Sequence, residues 1–181
     1  IATFIQDREM EHLLNPVKIV VKQNLPKISI ASIEIGETKE GDLIEVPRWV
    51  AEAFAELGFA EVQEESFEVE MLKALSRERI QGSNQLSTLV GDFYLKLKRY
   101  LDGLEENTQS RRASRLDYEE AHMKARDLVK LRTVKLLPLT VGEYTPDMMQ
   151  KVTPEELKLF NMVREIVQQW KRTVLEGSKD E

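Results

Sequence analysis

The residues able to do chemistry are few and scattered. The chain has two histidines, His12 and His122, and no cysteine. The two lie far apart in sequence, with no His-x-x-x-His pair to put two imidazoles on one helical face, so a zinc or di-iron site is not expected. Each reads as a surface or margin residue. Nucleotide binding would call for a backbone cradle around phosphate, and neither GxxxxGK[ST] nor GxGxxG occurs. The carboxylate pairs Glu64-Glu65 and Glu155-Glu156 have plainer readings than acid-base catalysis, a solvated boundary and a helix start. Arg111-Arg112-Ala113-Ser114 resembles a basophilic kinase site, but over only a few residues. No catalytic constellation forms. The expectation is a protein that is not an enzyme and uses no cofactor or metal.

The charged residues offer binding instead. Arg111, Arg112 and Arg115 open a stretch to Lys135 with 8 basic and 4 acidic residues, a net of +4 in a chain whose net charge is -6. Three readings stay open: a solvated face, a salt-bridged contact with an acidic partner, and phosphate contact with DNA. Single-strand binding would want aromatic residues between the bases, and only Tyr118 is there. Trp49 and Trp170 fall on apolar helical faces and read as packing residues.

The elements that must position these groups are clearest from Gly41 to Val62. Gly41-Asp42 is a turn pair, and Leu43 to Val46 alternates apolar and acidic residues as a half-buried strand does. Pro47 stops it, since proline gives no N-H to a ladder but suits a first helical turn. Trp49, Val50, Ala53, Phe54 and Leu57 then mark one helical face. Gly58 tolerates a left-handed cap, and Phe59 to Val62 is extended again. Before this unit, Ile1 to Leu14 predicts a loose helix or arm closed at Asn15-Pro16. Val17 to Lys22 and Ile28 to Ile35 predict strands, with a bulge or phase change at Ala31-Ser32. Residues 1–63 hold 6 basic and 11 acidic residues, a net of -5, so a partner of this part should be basic.

From Glu64 the periodicity is helical. Phe67, Met71, Leu72 and Leu75 mark a first helix, ended at Gly82-Ser83-Asn84. Leu86, Leu89, Val90, Phe93, Leu97, Tyr100, Leu101 and Leu104 predict a second, with Gly91 inside it suggesting close approach of a neighbour, and Asp102-Gly103 with Glu105 to Gln109 as a polar connection. Tyr118, Ala121, Ala125, Leu128 and Val129 give a third helix a narrow apolar face, and the chain breaks at Pro138, Gly142 and Pro146. Thr153-Pro154-Glu155-Glu156 predicts a helix start with a capping box. Leu157, Leu159, Phe160, Val163, Ile166, Val167, Trp170 and Val174 follow, covering more than one stripe, which implies packing on a second body as well as on its own domain, or a place in a fully enclosed core. The expected class is α+β, a small β-rich N-terminal domain over residues 1–63 and a larger all-α bundle over 64–181. No stretch approaches the eighteen or so apolar residues of a membrane span, and no leader is visible.

Leu-Ile-Glu-Val-Pro-x-Trp-Val-Ala at 43–51 with Leu-Gly-Phe-Ala-Glu-Val at 57–62 resembles the core of the small β domain of GINS subunits, replication factors that join the MCM helicase ring. Thr-Pro-Glu-Glu-Leu-x-Leu-Phe at 153–160, with Trp170-Lys171 beyond it, resembles the closing helix of GINS α domains. Between the two, only a helical pattern is shared. The resemblance implies the archaeal class with its β domain first, pairing with a companion GINS subunit of the opposite domain order in a 2:2 heterotetramer. It implies a non-enzymatic scaffold at the replication fork whose partners are the MCM helicase, a RecJ-like protein and primase, in the cytoplasm at the nucleoid, or in the nucleus of a eukaryote. Subunit contacts are expected at Phe93, Leu97, Tyr100, Tyr118, Leu128, Phe160, Val167 and Trp170. The alternative is a helix-turn-helix regulator with Val50 to Gly58 as its first helix, which requires a recognition helix after Gly58.

Overall fold

Val17, Ile19 and Val21 alternate with Pro16, Lys18 and Val20, and this run forms β1 (Pro16–Val21), whose first three named residues point into a core. The computed structural model describes residues 2–30, 33–83, 85–110 and 114–176. They form a mixed α+β protein of two compact units, divided between Glu65 and Ser66.

In the first unit α1 (Ala2–Leu14) precedes β1, followed by β2 (Ile28–Ile30), β3 (Ile33–Ile35), β4 (Leu43–Pro47), α2 (Arg48–Glu56) and β5 (Ala60–Val62). β1 is central, antiparallel to β4 on one side and β5 on the other, with Val17 opposite Val46 and Val21 opposite Ala60. Val50, Ala51 and Phe54 of α2 are buried in the same core as β1. The interruption within Ile28 to Ile35 is a chain reversal rather than a bulge, because β2 and β3 pair antiparallel with Ile30 opposite Ile33; residues 31 and 32 themselves lie outside the described residues. His12 is buried, not at the surface, since α1 packs its inner face on α2.

The end of α2 has a local cause. Gly58 adopts φ +75°, its N-H donates to Ala55 O at 3.0 Å and the Phe59 N-H donates to Phe54 O at 2.8 Å, the paired bonds of a Schellman cap. Phe59 and Phe54 then meet edge to face at 6.1 Å. A Cβ on Gly58 would meet nothing within 4 Å, so the cost of Gly58→Ala is the left-handed backbone alone. We expect it to destabilise the chain by about 1–2 kcal/mol, read as a lowered urea midpoint.

The second unit is helical: α3 (Phe67–Ile80), α4 (Phe93–Gln109), α5 (Arg115–Val141), α6 (Pro146–Gln150) and α7 (Pro154–Glu176). α5 packs on α3, α4 and α7. Met71, Ala74, Leu75, Phe93, Leu97, Ala125 and Leu128 fill the core among α3, α4 and α5, and Leu86, Leu136, Leu139 and Phe160 fill a second one around the start of α7.

The helical unit departs from the sequence pattern in four places. α4 begins at Phe93; Leu86 and Leu89 are buried from a non-helical segment, and Gly91 lies in a turn with open space around its Cα. Asp102 to Gln109 is not a connection but the continuation of α4. α5 runs through Pro138 to Val141, because Leu136 and Leu139 on either side are anchored in the core with Phe160, which outweighs the lost N-H. Val129, expected on the apolar face, is exposed.

Candidate functional site

The residues expected at a companion interface divide by burial. Phe93, Leu97 and Leu128 are buried among α3, α4 and α5, and Phe160 is buried in the second core. Tyr100 packs against Phe67 at 5.6 Å between ring centroids. Their own chain covers these side chains, so four of the eight, Phe93, Leu97, Leu128 and Phe160, build the bundle and leave almost no area for another subunit. Tyr118 and Val167 are half-buried, and Trp170 is 62% exposed.

Trp170 belongs to a larger feature. Met162, Ile166, Trp170 and Val174 recur every four residues along α7, forming one continuous row, and all four are exposed. Val163 and Val167 border the row and are half-buried. On α5, Leu116, Met123, Val134, Leu137 and Val141 are exposed as well. Single exposed apolar residues are ordinary, but a row of four on one helix is the kind of contiguous apolar surface that marks an interaction site.

Behind α7 lies a buried ionic network. Arg132 of α5 is 1% exposed, and its five N-H groups are all engaged. Nε donates to Glu156 Oε1 at 2.8 Å and Nη2 to Glu156 Oε2 at 2.6 Å, a bidentate fork. Nη1 donates to Glu78 Oε2 at 3.1 Å and to Ser87 O at 2.5 Å, and Nη2 also donates to Lys151 O at 3.0 Å. Lys135 Nζ lies 2.8 Å from Glu78 Oε1 and donates to Glu78 O at 2.7 Å. Ser87 Oγ donates to Glu78 Oε2 at 2.5 Å, and Tyr94 O-H donates to Glu156 Oε1 at 2.7 Å. Two cations thus neutralise two anions away from water. α3, α4, α5, the segment before α4 and the start of α7 all contribute.

The electrostatics follow. Burial by itself would raise the Glu78 pKa, but the Lys135 ammonium, the Ser87 hydroxyl and amide and the Arg132 charge outweigh it and hold the carboxyl below the usual carboxylate range. Burial, together with the Glu156 carboxylate, pushes the Tyr94 phenol up, so it stays a donor. Because the Glu78 pKa is depressed in the folded state, its stabilisation is complete above the ordinary value of 4.5 and is lost as pH falls through the folded value. The urea midpoint is therefore expected to hold from pH 7 to the ordinary carboxylate pKa and to drop at lower pH. A Glu78→Gln chain is expected to start lower and to lose this part of the acid dependence.

The remaining predicted groups sit nearer the solvent. The Tyr118 and His122 rings meet on α5 at 5.7 Å, tilted 50° to one another, beside an open groove of about 380 Å³ on the α4 side that Leu97, Leu101, Asp102 and Glu105 help to line. A second groove of about 440 Å³ lies toward Met123 and Arg126. His122 is the margin residue its spacing suggested. Arg115 is exposed and pairs with Glu119 at 2.9 Å, while Ser114 caps α5 by accepting the Leu116 N-H at 3.1 Å. Arg111 and Arg112 lie outside the described residues. Among the described residues no group of three or more His, Cys, Asp or Glu side chains could hold a metal ion, and no helix is long and apolar enough to cross a membrane.

No protein-family model matches the chain, and no curated protein sequence matches it.

The ionic network escaped the reading of the sequence, although a signal for it exists. Leu128, Arg132, Lys135, Leu136 and Leu139 share one face of α5 at spacings of three and four, so two cations interrupt an apolar stripe. Glu78 continues the stripe of Met71, Ala74 and Leu75 in the same way. A charge on the inward phase of a helix has to find a partner of opposite sign there.

Proposed function

We propose that the chain is a non-enzymatic assembly subunit of the GINS kind, a small β-rich unit followed by a helical bundle that exists to be joined to other proteins. One observation carries this reading: the exposed apolar row of α7, backed by a buried network of ion pairs. A helix that presents Met162, Ile166, Trp170 and Val174 to water gains free energy when a second apolar helix covers them. The resemblance at 43–62 and 153–174 supplies the kind of partner, a companion subunit of opposite domain order in a 2:2 complex. In this reading the complex couples the MCM helicase to a RecJ-like protein and to primase through binding alone. The acidic surface of the first unit is the docking side for basic partners.

The helix-turn-helix alternative is disfavoured by β5, which occupies the place after Gly58 where a recognition helix would have to stand. The capping box also supports the resemblance, since the Thr153 N-H donates to Glu156 Oε2 at 3.0 Å and the Glu156 N-H donates to Thr153 Oγ1 at 3.3 Å.

Light scattering tests the proposal. The chain is mixed with a companion GINS subunit from the same genome, and a particle containing two copies of each is expected. A chain that stays monodisperse at 21.0 kDa with and without the companion overturns it. A DNA titration over a range of salt is the second arm: a steep log-log dependence for the isolated chain would favour the regulator.

A further inference from the structure

α7 is anchored at one end. Thr153 just before it, with Glu156 and Phe160 within it, are buried, and no described side chain from Asn161 to Leu175 is. At 1.5 Å per residue that distal part extends roughly 22 Å from the anchor, and a tilt of about 10° at the anchor would move its far end by about 4 Å. A displacement of that size is enough to take a row of side chains out of the groove of a facing helix, where helix axes sit only about 8–10 Å apart. The geometry at the anchor therefore decides what the apolar row can meet.

The anchor is built around one carboxylate. Glu156 Oε2 accepts both the Thr153 N-H that closes the capping box, at 3.0 Å, and Nη2 of Arg132, at 2.6 Å. Glu156 Oε1 accepts Nε of Arg132 at 2.8 Å and the Tyr94 hydroxyl at 2.7 Å. The start of the helix and its seat on α5 are thus the same group. A planar fork against a planar carboxylate fixes angle as well as distance. The guanidinium is itself held by Glu78 of α3 and by Ser87 O before α4, which ties it to parts of the bundle other than α7. Apolar packing at this place could give equal stability, because the cost of burying charges offsets most of their attraction. It would not define an angle as sharply.

We propose that the Arg132–Glu156 fork is an orientation lock, which sets the direction in which α7 carries Met162, Ile166, Trp170 and Val174 and thereby selects the partner helix the row accepts. The lock is a property of the chain alone; only the selection of a partner rests on the assembly reading. Arg132 acts as a positioning residue and touches no partner.

The chain has no cysteine, so two introduced ones can be labelled cleanly. Spin labels at Lys130→Cys and Gln168→Cys, both exposed, report the α5 to α7 distance, and labels at Glu106→Cys and Lys130→Cys report α4 to α5 as a control. In the otherwise native chain both distributions are expected to be equally narrow; an α5 to α7 distribution already broader than the control overturns the proposal without any further substitution. Arg132→Lys keeps the charge but loses the fork, and Glu156→Gln keeps an acceptor for the cap but loses the charge. Each is expected to at least double the width of the α5 to α7 distribution in folded molecules while the control stays unchanged. If the fork served stability alone, the urea midpoint would fall and the distribution of the folded molecules would keep its width, which is the overturning result. Should one variant fail to fold, the other decides. Companion binding is measured separately: if the native chain binds its companion, the lock variants are expected to bind at least tenfold more weakly, and equal binding removes the selection step. If the native chain binds no companion, the assembly reading fails, and the distances still decide the lock.

Discussion

Arg132→Ala is expected to destabilise the chain by about 3–5 kcal/mol, the cost of removing one partner from a buried ion pair and leaving the other uncompensated. Without the guanidinium, Glu156 keeps only the Tyr94 hydroxyl and the Thr153 amide, and Glu78 keeps Lys135 and Ser87. Two carboxylates would then share a dry space with a single ammonium. A domain's whole stability is about 5–15 kcal/mol, so the helical unit should come close to unfolding. Urea denaturation followed by circular dichroism measures the loss. The double change Arg132→Ala with Glu156→Ala is expected to cost less than the sum of the two single ones, since the second removes the charge that the first stranded. A loss under about 1 kcal/mol for Arg132→Ala would mean that water reaches the network, and the account of it as a dry, interlocked cluster would fail.

The second large effect concerns association and leaves the fold alone. Ile166→Gln combined with Trp170→Gln removes the middle of the α7 row with residues that keep good helix propensity. Both side chains are more than half exposed, so the isolated chain should keep its stability within about 0.5 kcal/mol. Companion affinity should fall by about 2–4 kcal/mol, roughly 30- to 1000-fold, because a tryptophan at the centre of an apolar patch is the usual anchor of an interface. Calorimetric titration of companion into the variant reads this directly. Unchanged affinity, with the helix intact, would move the contact to another face, and the exposed row on α5 with Leu116, Met123 and Val134 would be next to test.

What could be read from the residues beforehand was whatever rests on local chemistry. Gly41, Pro47 and Gly58 dictate backbone geometry by themselves, and so the strand, helix and strand around them are where their order implies. Thr153 and Glu156 signal a helix start in four residues, and both capping bonds are present. The misread places are those where distant packing overrides a local preference. Leu86 and Leu89 have helical spacing but are held in a non-helical segment, because their side chains fill separate cores. Pro138 would end an isolated helix, yet Leu136 and Leu139 carry α5 past it. The apolar row of α7 was visible as a stripe too wide for one contact. Which α7 side chains face inward was not, since Phe160 is covered by Leu86, Leu136 and Leu139 from parts of the chain distant in sequence, and Trp170 is not. Glu78, Arg132 and Lys135 looked like ordinary charges, because residue type alone does not tell where a side chain ends up.

Four formal charges inside one small core also shape how this protein responds to heating. Hydration of ions carries a strongly negative entropy, so water's hold on Glu78, Arg132, Lys135 and Glu156 weakens as temperature rises and the cost of drying them shrinks. Apolar burial gains no comparable advantage over the same range. The bundle should consequently melt later than its modest size suggests, with the cluster of opposite charges more useful in hot surroundings than in cool ones.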